Sequence, residues 1–320
     1  MDLKSKFQKQ KMMRTVIYSL IPVFIYSVYL FGLRTLVLLA VVMACGVISE
    51  YLVMRSINGA KAKVSEAVLV SCMLFTLTLP PSTPYWVAGV GITFGIVFGK
   101  AVFGGFGKNI FNPAIVGRCL IYISFPSFMT VSWTKPFTGF PGGLVRFTNS
   151  VDAATNATPL IAFNKTGEIA SYWQMSYGGI AGSLGETAAI LIVLAGIFLI
   201  IKKVASWKSM VSCLLGFGIL NTILWLTGIT AADPLFSILS GGFIFGTVFM
   251  VTDPVTAPKT DTARIIYGAA IGIMTAVIRI FALFAEGMMF AILVANMFVP
   301  LLERTLKDLK SRKSRKKVAA

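Results

Sequence analysis

The sequence predicts an all-α polytopic membrane protein of about ten transmembrane helices, arranged as two five-helix repeats of inverted topology. Three observations carry this: the apolar share of the chain, ten apolar runs of spanning length, and a Pro-containing element that recurs 174 residues later in the opposite direction. With the 29 glycines added to the hydrophobic residues and the nine tyrosines removed, the apolar share is about 62%, against roughly 45–50% on that residue set in soluble domains.

Runs of this length and composition read as membrane helices. They fall at residues 15–31, 35–54, 64–80, 85–103, 110–126, 186–201, 210–228, 235–252, 265–284 and 287–302. Pro113 and Arg118 interrupt the fifth run. Asn-Pro within an apolar stretch predicts a broken helix whose freed backbone groups face protein or a cavity rather than lipid. Residues 1–14 precede an apolar run with no small-residue cleavage site, so an uncleaved first helix is expected. The runs divide the chain into a first five-helix repeat with the N-terminus (1–126), a long loop (127–185), a second repeat (186–303) and a basic tail (304–320).

Lysine and arginine set the expected orientation. Of the 29 basic residues, 23 fall in alternate loops counted from the N-terminus, eight of them in 304–317. Both termini are therefore expected in the cytoplasm, with the 127–185 loop on the outer face of the membrane. The net charge of +17 would suggest nucleic acid in a soluble protein. Here the basic tail lacks interleaved aromatics and reads as a topology signal and a contact with anionic lipid.

The third run ends in Thr78-Leu79-Pro80-Pro81-Ser82-Thr83-Pro84 and the eighth in Thr252-Asp253-Pro254-Val255-Thr256-Ala257-Pro258. Both read T-x-P-x-[ST]-x-P, and an offset of five spans makes one exit outward and the other inward. Inverted halves place a substrate or ion path between them, flanked by broken helices. Chance recurrence of Pro and Thr at helix ends is the plainer reading.

The chain has no histidine, and its four cysteines (Cys45, Cys72, Cys119, Cys213) show no CxxC spacing, so no metal site or haem is expected and no catalytic residue is assigned. Any redox chemistry needs an organic cofactor or another subunit. Intramembrane carboxylates are functional candidates because burying one unpaired is expensive. Glu50, Glu186 and Glu286 lie near predicted span ends, where solvated positions are at least as expected. Glu66, one turn into the third run, and Asp253, in the repeat element opposite Leu79, are the ion-path candidates; a turn cap is the alternative for Asp253.

Gly104–Lys108 resembles a fragment of a phosphate loop, but no GK[ST] follows and no strand precedes it. Asn109, Asn112 and Arg118 beside the helix break offer two amides and a guanidinium to a polar ring or an anion, or else serve the broken backbone. In the long loop, Asp152-Ala-Ala-Thr155-Asn156-Ala157-Thr158-Pro159-Leu160 surrounds Thr158 with small side chains, and Pro159 biases it toward an extended backbone. Its hydroxyl could be presented for modification; an unmodified polar loop is the composition-only alternative.

Together GGFGKNIFNPAIVGR (104–118), 152–160 and FMVTDPVTAP (249–258) resemble one family, in that order and at its spacing. It comprises the D subunit of the Rnf complex, an ion-translocating ferredoxin:NAD oxidoreductase, and the B subunit of the sodium-translocating NADH:quinone reductase. The resemblance covers essentially the whole chain. It implies a urea-channel-like architecture and a membrane component of a redox-driven Na⁺ or H⁺ pump, working beside flavin and iron–sulfur subunits. It also implies FMN joined by a phosphoester to the last threonine of an [ST]-G-A-T motif, which maps onto Thr158, attached by a flavin transferase. Asp152, Thr155, Asn156 and Ala157 complete that loop; Asn156 stands where the family has glycine, and Asn tolerates positive φ. A non-covalent riboflavin, known in the family's relatives, is placed near Asn109, Asn112 and Arg118. Chain length looks more like the Rnf protein; the quinone-reductase protein and a flavin-free small-solute channel are the alternatives.

Overall fold

A computed structural model describes residues 7–59, 62–131, 133–148, 158–282 and 287–318. The chain is all-α and polytopic. The first half comprises α1 (Lys11–Phe31), α2 (Arg34–Asn58), α3 (Ala67–Leu77), α4 (Tyr85–Gly99), continued by a 3-10 turn (Ala101–Phe103), and α5 (Pro113–Ser124). Short helices α6 (Pro126–Thr130), α7 (Pro159–Thr166) and α8 (Tyr172–Tyr177) belong to the connecting loop. The second half has α9 (Ala189–Ile201), α10 (Trp207–Leu226), α11 (Pro234–Leu239), α12 (Phe243–Phe245, running into a π-helical turn, Gly246–Met250), α13 (Asp261–Phe281) and α14 (Gly287–Val318). A two-residue parallel pairing of β1 (Phe7–Gln8) with β2 (Val64–Ser65) ties the N-terminal segment to the start of α3.

Six of these helices are long and apolar enough to cross a membrane: α1, α2, α4 with its 3-10 turn, α10, α13 and α14. Helices α3, α5 and α9 are apolar but shorter, and the eighth predicted run is the broken segment α11–α12. The eighth predicted run is thus not continuous. Gly241 and Gly242 both take positive φ, +58° and +64°, conformations that side chains with a Cβ rarely adopt, and they cut it in two.

The two halves pack alike. α2 lies on α4 as α10 lies on α13, α4 on α5 as α13 on α14, and α1 meets α9 between the halves. The two T-x-P elements are also braced alike. Arg34 donates to the carbonyls of Pro81, Ser82 and Thr83, and Arg264 Nε donates to the Pro258 carbonyl at 3.0 Å. Between the halves, α5 also contacts α14, while within the second half α9 contacts both α12 and its π turn. Apolar side chains such as Ile25, Ile48, Leu215 and Ile219 stay exposed on the outside of the bundle, where lipid replaces water as solvent.

Three helices begin with the same device, a polar side chain followed by proline. Asn112, Thr158 and Asp233 cap α5, α7 and α11, accepting from the amides of Ala114 (3.0 Å), Ile161 (3.4 Å) and Phe236 (2.9 Å). Each cap satisfies an amide that the first turn would otherwise orphan, and the proline has no amide to satisfy. The Asn112-Pro113 break expected from the sequence is thus a helix start. The loop is docked rather than loose at its second half: Leu160 and Met175 form a small separate core with Ala232 and Phe236 of the α11 region, and the Tyr172 hydroxyl donates to Asp233 Oδ2 at 2.5 Å.

Candidate functional site

Three cavities are lined by residues of both halves, buried polar ones among them. At the end of the bundle holding the start of α1 and the described end of α14, here the basic end, a cavity of about 40 Å³ is lined by Lys100, Phe106, Asn109, Asn112, Phe249 and Asp253 among others. At the opposite, loop end, a pocket of about 260 Å³ is lined by Tyr122, Met129, Trp133, Thr158, Lys165 and Glu186 among others. A third cavity of about 20 Å³, touching Ile115, Arg118, Glu186, Gly242 and Met250, lies between them. One helix serves all three: α5 gives Asn112 to the first, Arg118 to the small one and Tyr122 to the loop-end pocket.

The structure brings Asn112 and Asp253 together. Asn112 Nδ2 donates to Asp253 Oδ2 at 3.0 Å while Asn112 Oδ1 caps α5. Asp253 Oδ1 accepts from Val255 N at 3.0 Å. The carboxylate therefore caps its own turn, the alternative weighed from the sequence, and also lines the cavity. Asn109 lines the same cavity and donates to the Phe111 carbonyl at 3.0 Å.

Arg118 is not with them. It lies farther along α5, 4% exposed, with Nη1 donating to Glu186 Oε1 at 2.5 Å. The Glu186 carboxylate lies over the backbone of Gly242, where a Cβ would stand 2.5 Å from its Cδ. Glu66 is also elsewhere, at the basic end before α3. It accepts from Arg14 and from the Gln10 amide, the latter at 2.6 Å, so the pair fastens α1 to α3.

Two carboxylates expected near solvated span ends are enclosed. Glu50 is 1% exposed and accepts from Lys100 Nζ at 2.9–3.0 Å, while the same ammonium donates to Ser65 Oγ at 2.6 Å. Glu186 is held by Arg118. Both pairings were missed because their partners lie 50 and 68 residues away; the signal available was a lysine and an arginine set in otherwise apolar runs. Glu286 and the loop residues Asp152, Thr155, Asn156 and Ala157 lie outside the described residues.

Thr158 itself is described. Its backbone is extended (φ −63°, ψ 156°), as Pro159 predicts, and its half-buried hydroxyl stands at the N-terminus of α7 on the wall of the loop-end pocket. Amides at a helix start favour an anion.

Halves that pack alike, broken helices and ion pairs buried within the bundle mark an all-α polytopic membrane protein with a polar interior. A sequence model of the NQR2, RnfD, RnfE family matches residues 3–311, and the chain belongs to that family. It is similar to the B subunit of the Na(+)-translocating NADH-quinone reductase of Pseudomonas aeruginosa, 39% identical over 75% of this chain and 60% of the relative. The protein of that name from Ectopseudomonas mendocina is 40% identical over 76% and 60%, and that from Chromohalobacter salexigens is 35% identical over 81% and 62%. The chain thus spans about 60% of the length of the curated relatives it matches.

Proposed function

We propose that this chain is the membrane component of a redox-driven cation pump and carries FMN in phosphoester linkage at Thr158. The observation that carries this reading is the setting of that hydroxyl: a helix start favourable to a phosphate, with Lys165 on the same pocket wall. The bond joins Thr158 Oγ1 to the FMN phosphorus as the hydroxyl gives up its proton and the phosphoanhydride bond of a flavin dinucleotide donor breaks to release a nucleoside monophosphate, so the chain gains the mass of FMN less one water. When bound, the group supplies a carrier for electrons passing between neighbouring subunits. The residues present fit it. Trp133, Tyr122 and Met129 give the pocket an apolar wall, and its volume of about 260 Å³ falls just below the roughly 300–1,000 Å³ of small-molecule sites.

In this reading the pump belongs to the ferredoxin:NAD type, assembled with flavin and iron–sulfur subunits and moving Na⁺ or H⁺ outward. The relatives' printed name favours a second reading, a component of an NADH:quinone reductase. Assay of the purified complex separates them: NAD reduction by reduced ferredoxin supports the first, and quinone reduction by NADH without ferredoxin activity supports the second. A chain never flavinylated supports the small-solute channel. Both termini are placed in the cytoplasm and Thr158 outside. Ser150→Cys should then react with an impermeant thiol reagent in intact cells, and Ser314→Cys only after lysis; the reverse pattern inverts the reading.

A non-covalent riboflavin belongs, in this reading, at the basic end. The cavity there, about 40 Å³, has room for water or a bare cation, so admitting a ring requires the Asn112–Asp253 contact to part. Cation passage along the seam rests on the same cavity and on Asp253, with Glu66 at its basic-end margin.

A further inference from the structure

Two stretches of chain, one from each half, pass the three cavities in opposite order. Along α5 and its cap, Asn112 and Pro113 border the basic-end cavity, Ile115 and Arg118 the small one, and Tyr122 the loop-end pocket. In the other half, Gly241 and Gly242 border the loop-end pocket and the small cavity, Gly246 and Met250 the small cavity, and Thr252 and Asp253 the basic-end cavity. The cavities therefore stand in a row. Asn112 and Tyr122 are ten positions apart, a rise of about 15 Å along a helix. The row narrows at the small cavity, whose volume of about 20 Å³ holds about one water molecule.

The buried ion pair stands at that narrow point. Arg118 Nη1 lies 2.5 Å from Glu186 Oε1, and the two side chains are 5% and 9% exposed. The walls around them are fixed. On one side α5 is seated tightly on α4, since a Cβ on Gly117 would stand 2.4 Å from the Gly91 carbonyl oxygen. On the other, Arg279 donates to the carbonyls of Ser237 at 2.8 Å and Gly241 at 2.5 Å, which holds the break at Gly241-Gly242 in place. Glu186 borders both the small cavity and the loop-end pocket, whereas Arg118 borders the small one. A carboxylate reachable from both spaces is thus occupied by a cation tethered to the chain. A bare guanidinium in a narrow polar path is a barrier to cations, and a bare carboxylate attracts them.

We propose that Glu186 is a binding site for the transported monovalent cation on the loop-end side of Asp253, and that the Arg118 guanidinium occupies this site between transport events and so closes the row. A cation passes by taking the guanidinium's place on the carboxylate. The inference rests on the cation-pump reading and gives it a second carboxylate and its closure.

The test uses the whole complex in proteoliposomes, with radioactive Na⁺ and a pH-sensitive dye as probes, each followed with and without redox substrate. Arg118→Gln leaves the carboxylate open, and passive cation flux without redox substrate should rise by about tenfold or more, the scale on which one charge focuses ions at a narrow site. Glu186→Gln leaves the guanidinium alone, and redox-driven flux should fall by about as much with no passive leak. Opposite effects of the two substitutions are the signature, because a merely structural pair would lower flux in both. If either neutral variant fails to assemble, Arg118→Lys and Glu186→Asp carry the test: each keeps both charges but loosens the contact, and each should leak more than the unsubstituted complex. A complex that pumps, with flux lowered alike in both neutral variants or unchanged in both, overturns this inference alone, as do charge-keeping variants that do not leak. An unsubstituted complex that moves neither Na⁺ nor H⁺ overturns the pump reading and this one with it.

Discussion

The side-chain amide of Asn112 meets the carboxylate of Asp253 at 3.0 Å across 141 residues of sequence. The contact joins the first turn of α5 in one half to the T-x-P element of the other, beside the basic-end cavity. If that carboxylate collects the transported cation, its charge and not its capping role matters. Asp253→Asn preserves size and can still cap Val255. In vesicles containing the whole complex it should retain flavin and assembly but need on the order of tenfold more Na⁺ or H⁺ for half-maximal activity, equivalent to about 1.4 kcal/mol of cation binding. Unchanged ion dependence would leave Asp253 a structural residue.

The enclosed Glu50–Lys100 pair gives a stability prediction. Removing one partner leaves a buried charge unpaired, which costs roughly 3–5 kcal/mol, whereas replacing both costs far less. Lys100→Met should lower the unfolding temperature in detergent sharply, and adding Glu50→Gln should recover much of the loss. Additive losses in the double variant would show that the pair is not a unit.

Gly242 and Gly167 form a matched comparison. Both are left-handed, with φ, ψ of +64°, 6° and +74°, 2°. A Cβ on Gly167 meets nothing within 4 Å, whereas one on Gly242 meets the Glu186 carboxylate. Gly167→Ala should cost only the backbone strain, about 1–2 kcal/mol. Gly242→Ala should cost more, because the Glu186 carboxylate must shift to admit the methyl group; equal destabilisation by the two substitutions, measured as unfolding temperature in detergent, would place that carboxylate away from Gly242.

How much of this was legible in the chain depends on the range of the interaction. The break before α5 and the paired T-x-P elements are local patterns that the structure holds, and six of the ten predicted spans are helices long and apolar enough to cross a membrane. The break at Gly241-Gly242 was hidden because glycine is common in membrane helices and the surrounding run stays apolar. Asn109, Asn112 and Asp253 stand out singly in the sequence, yet their convergence depends on packing between the halves. Glu50 and Glu186 read as end-of-span residues because each partner is in a distant helix.

The hydrogen bond from Tyr172 to Asp233 pins the long loop to α11 and predicts a pH effect. Asp233 holds the Tyr172 phenol above its usual value by accepting its proton in the hydrogen bond. A group raised in the folded state stabilises fully below its unfolded value of about 10 and loses that contribution as pH rises through the folded one. Proteolysis of the 159–182 segment should therefore accelerate above about pH 10, and Tyr172→Phe should be cleaved faster at pH 7 with a flatter alkaline rise. Identical profiles for the two proteins would mean that the bond does not hold the loop.

The central claim, that Thr158 carries the redox group, is tested most directly by mass spectrometry of the peptide containing it. Protein co-expressed with a flavin transferase should yield that peptide with the added mass of FMN less one water, fluorescent on a denaturing gel. Thr158→Ala should lose both signals while still inserting in the membrane. Recovery of the unmodified Thr158 peptide alone, or full flavin fluorescence in the alanine variant, would contradict the account.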